Sequence, residues 1–338
     1  MSVDETAFTP SQDVLRLAIA DAVRAPSAHN AQPWTFGLGQ RCVDVYMDRS
    51  RAQPVVDPDE RELVMSCAAA TFHLRASLAA RGIETETSLF PNDAFPTWVA
   101  RVNAVGVRTE PGELGELAEA IPQRRTNRGP YLGMPVPDDV VEIIREAAVL
   151  EGAWLLPFDA EHDRVQIVAL VMDGDHQQWA DSRFREELAA WIRPMGSEAH
   201  DGLTSRTIGA GPVPASVARW VVRTVDLGTR MVQTDRDLVE ASPMVAVLGT
   251  DGDTPADWAR AGMALDRVLL ALTAEGLSAS FMNQPVEVAP LRNQLHTLLR
   301  DRGFGGYAHA VLRIGFGPEA PASPRRPVED VILRPNTP

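Results

Sequence analysis

The sequence predicts an α+β protein laid out in two halves, and three observations carry that expectation. Its 338 residues suffice for roughly two core-sized units of about 150 residues each. Short strand-like runs alternate with longer helical patterns along the whole chain. The pattern also restarts near Glu113, and two of its pieces echo earlier ones.

Residues 12–25 place Leu15, Ile19, Ala22 and Val23 at helical spacing, with Ser11 or Asp13 as the cap and Ala25-Pro26-Ser27 as the stop. Trp34–Phe36 and Val43–Met47 read as two short strands joined by Gly37-Leu38-Gly39-Gln40. Residues 60–81 form a long helix with an Ala-rich stripe, ended by Gly82 at the C-cap, and a strand follows at Trp98–Val105. After Glu113 come a helix to residue 121, the run Arg124-Arg125-Thr126-Asn127-Arg128, and a helix over 138–150 opened by Pro137 and Asp138.

Asp139–Ala148 with Trp154–Phe158 echoes Asp13–Ala22 with Gln32–Phe36. Ala70–Ile83 likewise runs parallel to Ala264–Leu277, each ending in a glycine, Gly82 and Gly276. Ala-rich helices that stop at glycine also mimic one another by chance, so the echoes alone leave duplication and coincidence both open. If the halves are related, the second carries extra sequence at about 175–235, containing Trp179, Phe184, Trp191, Met195, Trp220 and Met231, which is a candidate lid. The same stripe also suits ordinary helix core or a dimer surface. Pro285, Pro290 and a tail rich in Gly and Pro from Gly315 to Pro327 mark the last strand and an extended C-terminal arm.

All 32 basic residues are arginine, which coding bias explains but which still excludes lysine chemistry: P-loop phosphate binding, Schiff bases and Ser-x-x-Lys hydrolysis. A net charge of -14 argues against a nucleic-acid-binding surface, so any anion must be met by a local arginine cluster. Cys42 and Cys67 are too few and too far apart for a disulfide framework or a Cys-x-x-Cys pair. The first ten residues have no apolar leader and no uninterrupted apolar run is long enough to span a membrane, so a cytoplasmic protein is expected. No zinc spacing, His-Glu-x-x-His, Gly-x-Ser-x-Gly or Gly-x-Gly-x-x-Gly string occurs; Gly209-Ala210-Gly211-Pro212 breaks the last pattern. Asp251-Gly252-Asp253 lacks the ligand spacing of a calcium loop and reads as a turn. No metal is therefore expected. The seven histidines are scattered, with only His29 inside a suspected site.

The most specific string is Ala25-Pro26-Ser27-Ala28-His29-Asn30-Ala31-Gln32-Pro33-Trp34-Thr35-Phe36, a helix exit into a polar turn and then a strand. It resembles the flavin-binding turn of the nitroreductase superfamily, in which Pro-Ser-x-x-Asn lies along the ring and small and amide side chains meet its polar edge. The resemblance implies FMN contacts from Pro26, Ser27, Ala28, Asn30 and Gln32. Arg124–Arg128 is similar to the family's Arg-x-Ser/Thr-x-Lys/Arg run: Arg124 and Thr126 would serve the FMN phosphate and Arg128 the ring edge, with Arg125 also among the cofactor contacts. Guanidinium forks suit phosphate oxygens, and a fixed cation beside the ring stabilises the charge that reduction leaves there. Gly276–Pro285 resembles the family's helix-to-strand turn, with a backbone N–H facing flavin N5 near Met282 or Asn283. Pro324–Val331 resembles the C-terminal arm, in which Arg325 would reach the phosphate; Arg326 reads as a surface charge.

Family members form homodimers whose two sites each combine the phosphate run of one subunit with the turn of the other. This chain carries one of each, on opposite halves, since Thr9-Pro10-Ser11-Gln12 has no arginine and Val149–Ala153 has no Pro-Ser-x-x-Asn. The pattern matches the fused, double-length Acg-like branch. It implies two nitroreductase-like halves, 1–112 and 113–338, each a mostly antiparallel sheet flanked by helices, forming an intrachain pseudo-dimer that could pair further. The implied function is an FMN-dependent NADPH or NADH oxidoreductase acting on nitroaromatic or quinone-like small molecules, with no catalytic side-chain nucleophile. The alternative is a flavin store whose lid covers the FMN.

Overall fold

The computed structural model describes residues 8–158, 161–194, 197–204 and 214–334; Met195 and the Gly209–Pro212 string fall outside them. In the first half, α1 (Gln12–Ala22) is capped by Ser11, whose side chain accepts from the Val14 N–H, and buries Leu15, Ala18, Ile19 and Ala22. It ends at Ala22, three residues before the sequence reading had it. Then follow β1 (Trp34–Leu38), β2 (Cys42–Met47), α2 (Arg61–Ala80), β3 (Ile83–Leu89) and β4 (Trp98–Val107), with every sheet pairing antiparallel in the order β1-β2-β4-β3. The sequence reading had no strand at β3. Its Glu-Thr-Glu-Thr-Ser stretch looks like loop by polarity, and an edge strand tolerates that because only one flank pairs.

The second half begins with α3 (Gly112–Glu116), which tightens into a 3₁₀ turn at Leu117–Ala120. It continues through α4 (Asp138–Leu150), β5 (Trp154–Phe158), α5 (Glu161–Ala180), α6 (Ser182–Trp191), β6 (Ile192–Arg193), β7 (Leu203–Thr204), α7 (Ala215–Thr224) and α8 (Gly228–Glu240). The remainder is β8 (Met244–Thr250), α9 (Pro255–Ala274), β9 (Ser278–Phe281), α10 (Gln284–Glu287), α11 (Ala289–Asp301), β10 (Tyr307–Gly315) and α12 (Val328–Val331). Its main sheet is antiparallel in the order β5-β8-β10-β9. Replacing α1, β1, β2, α2, β3 and β4 by α4, β5, β8, α9, β9 and β10 converts one half's chain order and strand order into the other's.

The two helices that echo in sequence, α2 and α9, are the pair at the centre. α2 is apolar and long enough on composition to cross a membrane, yet it is buried along nearly its whole length inside the protein. Its small residues permit a close crossing: a Cβ on Gly262 of α9 would lie 2.3 Å from the Met65 carbonyl oxygen. Gly82 and Gly276 both sit at positive φ after their helices, +74° and +73°, where a side chain would strain the chain reversal.

Between β5 and β8, helices α5 and α8 are rooted in the second half's core through Ile167, Val168, Val171 and Val239. Their far ends join α6, α7 and the parallel pair β6–β7 in a separate apolar cluster built on Trp179, Phe184, Leu188, Ile192 and Val222, which also takes in Val56 of the first half. After β10 the chain crosses back to the first half. There Ile332 bridges Phe36 in parallel and the Leu333 N–H donates to the Phe36 carbonyl at 2.8 Å, covering the free edge of β1.

Candidate active site

The α1 exit runs straight into the Pro26–Gln32 turn, whose backbone is unusual. His29, Asn30 and Gln32 have φ of 48°, 54° and 52°, the left-handed region that non-glycine residues adopt at a cost of about 1 kcal/mol or more each. Local bonds hold it there: the Gln32 N–H donates to Ser27 Oγ at 3.0 Å, and Gln53 Nε2 and Arg51 Nη1 donate to the Ala28 and Ala31 carbonyls. Burial pushes the His29 imidazole down to about pKa 4, against a Gln53 hydrogen bond and with Arg128 adding to the shift, so the ring is neutral at physiological pH. Its Nδ1 is buried without a partner among the described residues.

The amides of this turn bond to two distant segments of the chain. Asn30 Nδ2 donates to the Gly202 and Pro324 carbonyls at 3.3 and 3.1 Å, and Oδ1 accepts from Arg325 Nη1 at 2.9 Å. Gln32 Nε2 donates to the His200 carbonyl at 2.7 Å, and Oε1 accepts from the Arg326 N–H at 2.8 Å. Both side chains thereby tie the turn to the insert's 200–202 loop and the C-terminal arm, and each amide oxygen keeps a second lone pair. Arg326 is correspondingly no mere surface charge, since Nη1 donates to the Gln32 and Trp34 carbonyls.

The Arg124–Arg128 run comes from the other half and adds to the edge of β9: Thr126 bridges Ala279 and the Asn127 N–H donates to the Ala279 carbonyl at 3.1 Å. Arg124 crosses to the α1 exit, where Nη2 donates to the Arg24 carbonyl at 3.1 Å. Arg325, arriving on the arm, donates from Nη2 to the same carbonyl at 3.2 Å. The sequence reading had no part for Arg24, and its carbonyl is what gathers the two guanidinia. Arg124 is only 4% exposed, yet its Nε and Nη1 and the Nε of Arg325 are buried without partners among the described residues. Burial, with Arg124, Arg125 and Arg24 around it, pulls Arg325 down to about pKa 9. Burial also lowers Arg124, with Asp266 partly offsetting and Arg125 reinforcing. A cationic cluster with spare buried N–H groups fits an anion with several oxygens, such as a phosphate monoester.

Arg128 has no hydrogen-bond partner among the described residues and is solvent-accessible while densely surrounded by protein; that surrounding and the charge of Arg313 hold its ionisation below the usual arginine range. Arg313, on β10 and fully buried, is the second residue the sequence reading missed. A single arginine inside Val311-Leu312-Arg313-Ile314 was the available signal.

On the third element the structure separates the two candidates, Met282 and Asn283. The Met282 N–H donates to the Val311 carbonyl at 2.8 Å and its side chain belongs to the second half's core, so it has no N–H to offer a ring. The Asn283 side chain spans the halves, donating to Glu62 Oε1 at 3.0 Å and accepting from the Val311 N–H at 3.1 Å, bonds that leave its backbone N–H aside.

The insert lies on the turn. Besides the bonds to Asn30 and Gln32, the Gly202 N–H donates to the Asn30 carbonyl, and Asp201 takes Arg51 Nη1 and Arg193 Nε, both at 2.8 Å. Glu187 accepts the Val55 and Val56 N–H groups. An open cleft of about 740 Å³ between the 199–201 loop and the arm is lined by none of Arg124, Arg125 and Arg325, so it is distinct from the anion cluster.

The family model described as "Nitroreductase family" matches residues 121–300. A Mycobacterium tuberculosis protein provisionally named an NAD(P)H nitroreductase is 30% identical over 329 residues, 96% of this chain and 92% of that protein. The acg protein of the same organism, under the same provisional name, is 29% identical and covers 95% of each. Among solved structures, an FMN and NADPH-dependent nitroreductase from a Sphigopyxis strain is 22% identical with a TM-score of 0.42, covering 65% of this chain and 99% of that one. The arginine run, the helix-flanked antiparallel sheets and the full-length match to these relatives place this chain in the nitroreductase family, in its Acg-like branch.

Proposed function

We propose that this chain is an FMN-dependent NAD(P)H oxidoreductase with one cofactor site between its two halves, 1–112 and 113–338, and small electrophilic acceptors of the nitroaromatic or quinone type. The observation that carries this reading is the convergence of Arg124 and Arg325 on the Arg24 carbonyl with buried N–H groups to spare, beside the strained Pro26–Gln32 turn. Arg124, Arg125 and Arg325 would hold the FMN phosphate, Arg128 would face the ring edge, and Pro26, Ser27, Ala28 and neutral His29 would lie along it. When bound, FMN supplies the hydride chemistry. The chain's own part is to grip the phosphate, keep a cation at the ring edge and restrict access.

A second reading, flavin storage, has one specific observation in its favour: the 200–202 loop of the insert is hydrogen-bonded across the turn through Asn30, Gln32 and Asp201. We take the insert at about 175–235 as the lid of the site. Anaerobic titration of the FMN-loaded protein with NADPH and then dithionite separates the two. Bleaching of the visible flavin bands by NADPH is the expected result and means an open, working reductase. Bleaching by dithionite alone would replace that reading with storage, and failure of the chain to bind FMN would overturn both.

A further inference from the structure

Arg313 sits where an arginine is costly. Its neighbours on β10, Val311, Leu312 and Ile314, are fully buried, and so is Arg313 itself. Nε and Nη1 have no partner among the described residues, and burial holds the guanidinium below the usual arginine range. No carboxylate among the described residues bonds to it, and the charge of Asp235 offsets its burial only in part; an apolar side chain of similar volume commonly fills such a position with equal or better stability. A buried, partly unsatisfied charge in an otherwise consistent core is the kind of local exception that function retains.

What the side chain does is specific. Nη2 donates to the carbonyls of Asn127 at 3.0 Å and Gly129 at 2.9 Å, the two residues that flank Arg128. The Tyr131 ring covers the guanidinium, 4.4 Å from centroid to Cζ, and the Tyr131 hydroxyl donates to the same Asn127 carbonyl at 3.1 Å. Asn127 itself is tied on every side: its N–H to Ala279, Nδ2 to the Pro318 carbonyl at 2.8 Å, and Oδ1 from the Gly129 N–H at 3.0 Å. The packing leaves Tyr131 little room, since a Cβ on Gly315 or Gly317 would come within 3.0 or 2.9 Å of it. The backbone around Arg128 is therefore fixed on both sides while the Arg128 side chain has no hydrogen-bond partner among the described residues.

We propose that Arg313 is a positioning residue that acts through Arg128, its Nη2 holding the two flanking carbonyls so that the Arg128 guanidinium is presented to the cofactor's ring edge. The inference rests on the FMN reading above. Lysine at this position keeps the charge but not the planar group, stacked on the Tyr131 ring, that fixes Nη2 between the two carbonyls, so Arg313→Lys separates positioning from electrostatics.

The test compares the flavin reduction potential, by spectroelectrochemical titration, in four FMN-loaded proteins: native, Arg128→Ala, Arg313→Lys and the double variant. FMN retention is expected throughout because Arg124 and Arg325 are untouched. Arg128→Ala and Arg313→Lys should both lower the potential, and Arg313→Lys should add less than half of its own shift when Arg128 is already alanine. Equal Arg313→Lys shifts in the two backgrounds, or no shift in a variant that retains FMN, overturns the proposal. If Arg128→Ala itself leaves the potential unchanged, the ring-edge reading fails and takes the proposal with it. Should Arg313→Lys not fold, Tyr131→Phe removes only the hydroxyl on the Asn127 carbonyl and is expected to give a smaller shift with the same dependence on Arg128; an Arg128-independent shift, or none, counts against the proposal equally.

Discussion

Removing the arginine cluster's spare donors should release FMN by an amount the structure allows us to work out. Among the described residues, Arg124 has two buried nitrogens without partners, Nε and Nη1, and Arg325 has one, Nε. Hydrogen bonds to a charged group contribute about 1.5–3 kcal/mol each, so Arg124→Ala costs two such bonds and Arg325→Ala one. With about 1.4 kcal/mol per decade of affinity, Arg124→Ala should weaken FMN binding by about 100-fold or more and Arg325→Ala by about tenfold to a hundredfold. The double variant should purify without flavin. Riboflavin, which has no phosphate, is the internal control: equilibrium dialysis should show its affinity falling far less than that of FMN in each variant. Equal losses for FMN and riboflavin would mean that the arginines only hold the turn together, through Asn30 Oδ1 and the Arg24 carbonyl, and the phosphate assignment would be wrong.

Three further expectations follow from other parts of the fold. Asp201→Ala cuts the lid's bridge between Arg51 and Arg193, two partly exposed pairs worth up to about 1 kcal/mol each; hydrogen exchange in 197–204 and the rate of bleaching by NADPH should rise by about tenfold, and unchanged exchange would show that the loop is held elsewhere. Asp175 and Asp235 share the Gln284 amide at 2.9 and 3.0 Å, and burial, reinforced by Asp235, pushes Asp175 up to about pKa 8. Because the folded-state value lies above the free one of about 4, the folded protein holds an extra proton between those values. Stability from this group is therefore full at low pH and lost as pH rises through 8, and Asp175→Asn should flatten the fall of Tm measured between pH 5 and 9; parallel curves would contradict this. Gly262→Ala forces a Cβ to 2.3 Å from the Met65 carbonyl oxygen, and should destabilise the α2–α9 crossing by about 1–3 kcal/mol in urea titration, whereas an unchanged midpoint would mean the helices can part at no cost.

The parts of the molecule that the sequence revealed are those whose physics is local. An Ala-rich helix ending at a positive-φ glycine is written in about twenty consecutive residues, so α2 and α9 were visible, and so was their likeness. The arginine run and the Pro-Ser-x-x-Asn turn were legible for the same reason. What escaped depends on partners far along the chain: Asn30 and Gln32 spend their amides on residues 168 to 295 positions away, and no local pattern tells an amide facing a cofactor from one holding down a loop. β3 escaped because an edge strand's exposed face is as polar as a loop. Arg313 escaped for the opposite reason, since its apolar surroundings declare a core strand and its charge then reads as an exception. Such an exception is informative only once the two carbonyls it serves, on a segment almost 190 residues earlier, are seen beside it, and there the cost of the buried cation acquires a cause: the residue between those carbonyls is the arginine of the run that has no hydrogen-bond partner among the described residues.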